Sequence, residues 1–355
     1  MPCVRHELKT ADRAVLLRKV VASLRGGELC VLPTETVYGL ALLPSRADAV
    51  QRARAAKGRD AAQPFTWHLA QRRECTQLWP HVPPGIERLL DRYWPGPLTV
   101  ILPGPGGTTA GARLPAHEFT RAVIEACGEP LWLSSVNRTG EPPLVDARAI
   151  AAAFGEHVAH VVDDGPSPIG MASTIVRQLG PKLEVLREGI LTADEVLRAA
   201  ARLVLFVCTG NTCRSPLAEA LARAAAARAL GVSPAEVLAH GLSFASAGTS
   251  TLDGMPASDG SREAAKEAGL DLETHQSTAL TPELVERASF VYCLSSSHRR
   301  AILAEMPEVA DKLAMLRPDG LDVGDPYGRE LSTYRRTRDE IQAAVAARVR
   351  EWLPT

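Results

Sequence analysis

Apolar residues recur at helical spacing over residues 11–25 (ADRAVLLRKVVASLR), and Gly26-Gly27 ends the run, which predicts a first helix. The stretch ELCVLPTETVYGLA that follows reads as a buried strand over 28–32 running into a loop. Helical spacing returns over 45–57, closing at Lys57-Gly58, and over 84–93, where Trp94-Pro95-Gly96-Pro97 breaks it. Two further helices are predicted at 116–126 and 147–154, and a short Ala-rich one at 192–201. Short apolar runs at 65–69, 98–102, 131–134 and 158–163 read as strands, and 174–178 with 183–187 as a strand pair. Strands and helices intermixed in this way predict an α/β domain on a mixed, twisted sheet.

The second half alternates more regularly. Strands at 203–207, 244–247, 289–293 and 313–315 are separated by helices at 215–230, 257–268 and 297–304, and a last helix covers 333–353. This βαβ order predicts a doubly wound parallel sheet of four strands, with its ligand at their carboxyl ends. No Pro/Gly/Ser-rich linker separates the halves, so the boundary is set at residue 200, giving domains 1–200 and 201–355. The halves share no internal repeat, and no low-complexity stretch is present.

Composition narrows this picture. A chain of 355 residues exceeds what one core usually organises. With 5% aromatic residues, both cores must be built from Ala, Val and Leu. Lys and Arg number 40 against 41 Asp and Glu. That balance argues against direct DNA binding or an anionic membrane surface, and leaves room for a local basic groove. The seven cysteines are odd in number and scattered, so the expectation is free thiols in a reducing cytoplasm. Cys208 and Cys213 do not have zinc-knuckle spacing. Arg5, Glu7 and Lys9 lead into a helix-like run without a signal-peptide core, and no span of ~20 apolar residues occurs, so no membrane association is expected.

The most specific chemistry lies in residues 206–216, FVCTGNTCRSP. An apolar strand ends at Cys208, and Arg214 follows after five residues, leading into a helix. A loop of this length can wrap one tetrahedral oxyanion in backbone N–H groups at a helix N-terminus. Gly210 supplies backbone freedom in this reading. Arg214 offers a planar fork to two phosphate oxygens, and Pro216 suits the first helical turn. The helix dipole and Arg214 favour the thiolate of Cys208, a nucleophile for in-line displacement. Such a displacement needs an acid on the opposite side, and Asp325, in the loop-like Gly324-Asp325-Pro326-Tyr327-Gly328, is the candidate. Tyr327 would form a wall for the substrate side chain. Taken singly, Cys208 could be a buried structural cysteine and Asp325 a turn residue; the two motifs together outweigh those readings.

CTGNTCRSP with a distal DPY, together with Ser246-Ala247-Gly248-Thr249, resembles the low-molecular-weight protein tyrosine phosphatase family over 203–355. The resemblance implies Cys208 as nucleophile, Arg214 as phosphate binder, Ser215 as hydroxyl donor to the thiolate, Asp325 as general acid, and Asn211 as a brace of the loop. Thr209 belongs to the same loop. It also implies that Cys213 can form a reversible disulfide with Cys208; simple packing is the competing reading. Thr212, and the stretch 334–340 (YRRTRDE), resemble the bacterial branch acting on phosphoarginine, which often has Phe where Tyr327 stands, so phosphoarginine and phosphotyrosine both stay open. Arsenate reductase uses a similar loop but needs two further redox cysteines, and only Cys293 remains outside the loop in this half.

In the first half, four hydroxyl-, Gly- and base-rich turns adjoin strands: 33–40 (PTETVYGL), 57–59 (KGR) with 64–69, 94–99 (WPGPLT) with 113–117, and 134–140. Such turns supply the donors and cations a triphosphate needs, and the chain has no GxxxxGK[ST] loop. By themselves they imply no more than phosphate or nucleotide binding. Each also has a plainer explanation: Lys57 and Arg59 as a solvated helix end, Asn137 as a turn residue, His68 as a local hydrogen-bond partner. The set in this order resembles the TsaC/YrdC family over nearly all of 1–195. The resemblance implies threonylcarbamoyl-AMP synthesis from L-threonine, bicarbonate and ATP with Mg²⁺, feeding the proteins that complete the t6A modification of tRNA position 37. It places Thr34 and Thr36 near threonine, Lys57 and Arg59 on phosphates, Ser135, Asn137 and Arg187 on ATP or the adenylate, and His68 and Ser173 also in the site.

The expected function is a bifunctional enzyme that also acts on a phosphorylated protein through a phosphocysteine. One alternative makes the first domain only a nucleotide- or RNA-binding module regulating the phosphatase, and another makes the second domain a phosphate sensor.

Overall fold

The computed structural model describes residues 3–58, 64–138 and 140–353. The chain divides into two compact units, Met1–Ala200 and Ala201–Thr355.

In the first unit the described strands are β1 (Val4–Glu7), β2 (Cys30–Leu32), β3 (Gly39–Leu42), β4 (Thr66–His68), β5 (Leu98–Pro103), β6 (Thr109–Arg113), β7 (Leu131–Ser135), β8 (His160–Asp163), β9 (Thr174–Arg177) and β10 (Glu184–Arg187). They form one sheet in the order β1-β8-β2-β3-β7-β4-β6-β5-β9-β10. Parallel pairs such as β2/β8 and β5/β9 alternate with antiparallel ones such as β3/β7 and β9/β10, so the sheet is mixed, as expected. The helices are α1 (Arg13–Arg25), α2 (Ala47–Lys57), α3 (Pro84–Tyr93), α4 (Glu118–Cys127), α5 (Ala147–Phe154) and α6 (Ala193–Ala200).

Alternation along β2 shows why helices cover both faces. Cys30 and Leu32 pack with Leu16, Val20, Phe119 and Val123 of α1 and α4, whereas Val31 packs with Ala49, Ala53 and Ile150 of α2 and α5. A third cluster joins α3 and α6 to Val100, Leu102 and Val176. Local signals start and stop these helices. Asp12 accepts from the backbone N–H groups of Ala14 and Val15 at 2.9 and 3.0 Å, and Gly27 leaves α1 with φ 87°.

The second unit has four parallel strands, β11 (Arg202–Cys208), β12 (Leu242–Gly248), β13 (Ala288–Cys293) and β14 (Leu313–Met315), in the order β12-β11-β13-β14. Its helices are α7 (Arg214–Leu230), α8 (Asp259–Glu267), α9 (Pro282–Arg287), α10 (Ser296–Glu305) and α11 (Leu331–Trp352). Strand β11 is apolar on both faces. Val204 and Phe206 pack on the α7/α11 side, and Leu205 and Val207 on the α9/α10 side. The chain leaves β11 for β12 on one side and crosses to β13 on the other, so the carboxyl end of β11, where Cys208 lies, is the switch point at which such sheets bind ligands.

Four elements depart from the sequence-based expectation. Strand β1 is a charged edge segment, VRHE, held by parallel pairing with β8 rather than by an apolar pattern. Strand β3 lies in the stretch read as loop, and its four residues are buried on both faces, which leaves no alternation to see. Strand β6, TAGAR, is made of small residues and is a strand because it lies between β4 and β5. Helix α9 is only six residues long, started by the Thr281 cap, whose side chain accepts from the N–H of Leu284. Among the described residues no helix is long and apolar enough to cross a membrane.

Candidate active sites

Cys208 ends the central strand and is 2% exposed. Its sulfur has two polar contacts. The hydroxyl oxygen of Ser215 lies 2.9 Å away and the backbone N–H of Asn211 donates at 3.3 Å. The sulfur lies at the start of α7. Asn211 is itself over-determined. Its Nδ2 donates to Ser215 Oγ at 2.9 Å, its Oδ1 accepts from the N–H of Thr278 at 2.7 Å, and its carbonyl oxygen meets His275 Nε2 at 2.7 Å. These bonds hold it at φ 51°, the one left-handed residue besides glycine among the described residues.

The expectation for Gly210 is therefore corrected. Gly210 is not left-handed, and a Cβ there would meet only Thr212 Oγ1, at 3.6 Å. The glycine the loop requires is Gly248, where a Cβ would lie 2.6 Å from the carbonyl oxygen of Thr209 and 3.1 Å from the nitrogen of Asn211. Thr209 is braced by His298, whose Nε2 lies 2.9 Å from Thr209 Oγ1 and whose Nδ1 lies 2.9 Å from Ser295 Oγ. Burial, with the charge of Arg214, pushes the His298 pKa down to about 4, so the imidazole is neutral at physiological pH.

Arg214 is 6% exposed, and its Nη2 meets Asp325 Oδ2 at 2.7 Å. Its Nη1 donates to the carbonyl oxygen of Val323 at 3.4 Å, while its buried Nε finds no partner among the described residues. Candidate phosphate ligand and candidate acid thus sit together beside the loop. Asp325 is half exposed, accepts from the N–H of Tyr327 at 3.1 Å, and is followed by the exposed Tyr327 ring. Thr212 is half-buried, with Oγ1 3.7 Å from the Cys213 sulfur. The Cys213 sulfur also meets Ser258 Oγ at 3.2 Å and Tyr334 OH at 4.0 Å, and packs with Ala264. The two loop thiols thus have different partners, and all seven cysteines are free.

The first unit holds a cavity of about 290 Å³ lined by Thr34, Lys57, His68, Ser135, Asn137, Ser173 and Arg187, all named from the sequence, and also by Tyr38, Thr66, Thr99 and Arg113. Lys57, at the end of α2, is 3% exposed, so it is not a solvated helix end. Its ammonium group donates to the carbonyl oxygen of Ser135 and lies 3.4 Å from Asn137 Oδ1. Ser135 Oγ donates to the same amide oxygen at 2.5 Å. Across the cavity Ser173 Oγ lies 2.8 Å from Thr99 Oγ1, and Arg187 holds the carbonyl oxygen of Ser173 through Nε and Nη2 at 3.1 and 2.8 Å.

Thr36 stands one layer behind the wall, bonded to Thr34 Oγ1 at 2.9 Å and to Arg113 Nη1 at 2.7 Å. Arg113, 4% exposed, also pairs with Glu35 at 2.5 Å and donates to the carbonyl oxygen of Gly96 at 3.1 Å. Its side chain holds the PTET turn, whereas the sequence shows it only in a base-rich turn, without a role of its own. Burial and the charge of Arg113 push the His68 pKa down to about 3, so His68 acts as a neutral hydrogen-bonding group. Arg59 lies outside the described residues. Among the described residues no cluster of three or more His, Cys, Asp or Glu could hold a metal, and the cavity lining contains no carboxylate.

Two family models match the chain. The Sua5/YciO/YrdC model, described as telomere recombination, matches residues 22–189, and the low molecular weight phosphotyrosine protein phosphatase model matches 203–352. A threonylcarbamoyl-AMP synthase of Bacillus subtilis is 33% identical over 54% of this chain, which spans 58% of that relative's length. A threonylcarbamoyl-AMP synthase of Chromohalobacter salexigens is 37% identical over 42% of the chain and 84% of its own length. A protein-arginine-phosphatase of Geobacillus stearothermophilus is 34% identical over 40% of the chain and 90% of its own length. Among solved structures, a variant of Pyrococcus abyssi Sua5 superposes with TM-score 0.52 and 29% identity, covering 58% of this chain and 71% of that one. The chain therefore belongs to two enzyme families at once, the Sua5/YciO/YrdC family through residues 22–189 and the low-molecular-weight protein phosphatases through residues 203–352.

Proposed function

We propose that this chain is a bifunctional cytoplasmic enzyme, whose residues 1–200 form threonylcarbamoyl-AMP and whose residues 201–355 hydrolyse a phosphorylated protein side chain. The observation that carries the second half is the convergence of Cys208, its contacts with Ser215 and Asn211, Arg214 and Asp325 at one strand end. The thiolate of Cys208 attacks phosphorus, an S–P bond forms, and the bond to the leaving group breaks as Asp325 gives that group its proton. Water then attacks the phosphocysteine, Asp325 takes the proton, and the thiolate is regenerated. Arg214, with its fork and unpartnered Nε, holds the equatorial oxygens. Binding of the phosphate dianion would turn that fork away from Asp325 and release the acid.

For the first half, the supporting observation is a cavity whose charged lining is cationic, Lys57, Arg113 and Arg187, with a wall of hydroxyls. L-Threonine, bicarbonate and ATP would combine there, giving threonylcarbamoyl-AMP, diphosphate and water. The lining stabilises negative charge and positions the reactants, without a covalent intermediate. Among the described residues its lining offers no carboxylate to a magnesium ion, and Mg²⁺ would arrive on the triphosphate as part of the substrate. The product would pass to the proteins that transfer the threonylcarbamoyl group to tRNA.

Thr212, at the loop rim, favours a phosphoarginine substrate, and exposed Tyr327 is compatible with phosphotyrosine. Hydrolysis of matched phosphoarginine and phosphotyrosine peptides, with Cys208→Ser as blank, decides between them. Threonine- and bicarbonate-dependent release of diphosphate from ATP tests the first half. Nucleotide binding without that release would reduce it to a regulatory module.

A further inference from the structure

A half-exposed acid on irregular backbone cannot by itself hold the sub-ångström geometry that proton transfer needs. Asp325 lies in such a stretch, residues 320–326, between β14 and α11. Helix α11 grips the residue just before it by both backbone polar groups. Thr337 Oγ1 donates to the carbonyl oxygen of Gly324 at 3.3 Å, and the N–H of Gly324 donates to Glu340 Oε2 at 3.4 Å. Thr337 and Glu340 are three residues apart and so share one helix face.

Both bonds are long, so they depend on the side chains being held in place. Thr337 is 3% exposed. The other carboxylate oxygen of Glu340 is occupied by Arg317 Nη1, and Arg317 is locked in turn by Asp319 through bonds of 3.0 and 2.5 Å. On the sheet side, the N–H of the buried Val323 donates to the carbonyl oxygen of Leu294 at 2.9 Å.

We infer that Thr337 and Glu340, with Arg317 behind them, are positioning residues for the general acid, a clamp that sets where the Asp325 carboxyl stands over the scissile bond. The inference rests on the phosphatase reading and gives the 334–340 stretch, YRRTRDE, a role in catalysis. Among the described residues neither side chain hydrogen-bonds the phosphate loop, so the clamp should matter only where the leaving group needs a proton.

The test uses the full chain and kcat/KM, which reports the first chemical step, for phenyl phosphate (a poor leaving group) and p-nitrophenyl phosphate (a good one). In Thr337→Val and Glu340→Ala the phenyl-to-nitrophenyl ratio of kcat/KM should fall about tenfold, a part of the whole general-acid contribution. Glu340→Gln, which keeps an acceptor for Gly324, should recover most of it. Competitive inhibition by inorganic phosphate should stay within about twofold of wild type, because Cys208 and Arg214 are untouched. An unchanged ratio, or an equal loss on both substrates with weakened phosphate inhibition, would overturn the clamp. A wild-type chain no faster than Cys208→Ser would overturn the phosphatase reading, and the clamp with it.

Discussion

The proposed phosphatase site draws its candidate nucleophile, its candidate anion-binding loop and its arginine from seven consecutive residues, 208–214, at the end of one strand. The synthase cavity collects its polar side chains from β4, β5, β6, β7, β10, the end of α2 and the turns between them. On that proposal, helix dipole and backbone would supply much of the anion binding in the first, and few side chains would be indispensable. In the second, side-chain cations replace the backbone, two of them, Lys57 and Arg113, buried and dependent on partners far away in sequence, as Arg113 depends on Glu35. A contiguous site is robust to changes in the scaffold and sensitive at single atoms. A dispersed site is sensitive to the fold that assembles it.

The largest expected effect separates the two at once. Cys208→Ser should lower phosphatase turnover by a factor on the order of 10⁴ or more and leave diphosphate release unchanged. Lys57→Ala should do the converse, lowering threonylcarbamoyl-AMP formation about 10²- to 10³-fold in a steady-state assay while the phosphatase keeps its rate.

Glu35→Gln tests the dispersed plan. It leaves the 4%-exposed Arg113 without its carboxylate and should destabilise the first unit by about 3 kcal/mol, read by peptide-resolved hydrogen exchange. A loss of rate without loss of protection would mean that Arg113 acts on substrate rather than through the PTET turn. Asn211 tests the contiguous plan. Asn211→Gly tolerates φ 51°, whereas Asn211→Ala adds strain of about 1–2 kcal/mol, so Ala should be the less stable, while both lose the bonds to Ser215 and Thr278.

The smallest effect is on pH dependence, and it has the same sign in both units. The pKa values of His68 and His298 are pushed down from 6.5, to about 3 and about 4. Above pH 6.5 each is neutral both folded and unfolded. As the pH falls below 6.5 the unfolded chain takes up protons that the folded chain refuses, so stability declines from pH 6.5 toward 4 for His298 and on toward 3 for His68. Hydrogen exchange at about pH 7 and about pH 5, corrected for intrinsic rates, should show weaker protection at the lower pH, with the decline in the second unit reduced in His298→Asn.

The same contrast explains what could be read from the sequence. The alternating second half, the Cys208 loop and the DPY segment each carry local signals, so the parallel sheet was legible and the candidate site residues could be named with it. In the first unit, Thr34, Lys57, His68, Ser135, Asn137, Ser173 and Arg187 could be named only as a set in order, because nothing local distinguishes a buried Lys57 from a solvated helix end. Arg113 and Thr99 lay in turns singled out from the sequence but were given no role of their own, because their pairing across the sheet, with Glu35 and Ser173, has no local signal. The backbone role given to Gly210 belongs to Asn211, because side-chain bonds to Ser215 and Thr278 hold a left-handed asparagine in place there. Strands β1 and β6 lack an apolar pattern, and only their neighbours make them strands.

The central claim is that one chain carries two independent active sites. Its most direct test assays both reactions in the same preparations of wild type, Cys208→Ser and Lys57→Ala. The account predicts that wild type performs both, that Cys208→Ser retains only threonine- and bicarbonate-dependent diphosphate release, and that Lys57→Ala retains only phosphatase activity. Loss of both reactions in either folded variant, or absence of one from wild type, would contradict it.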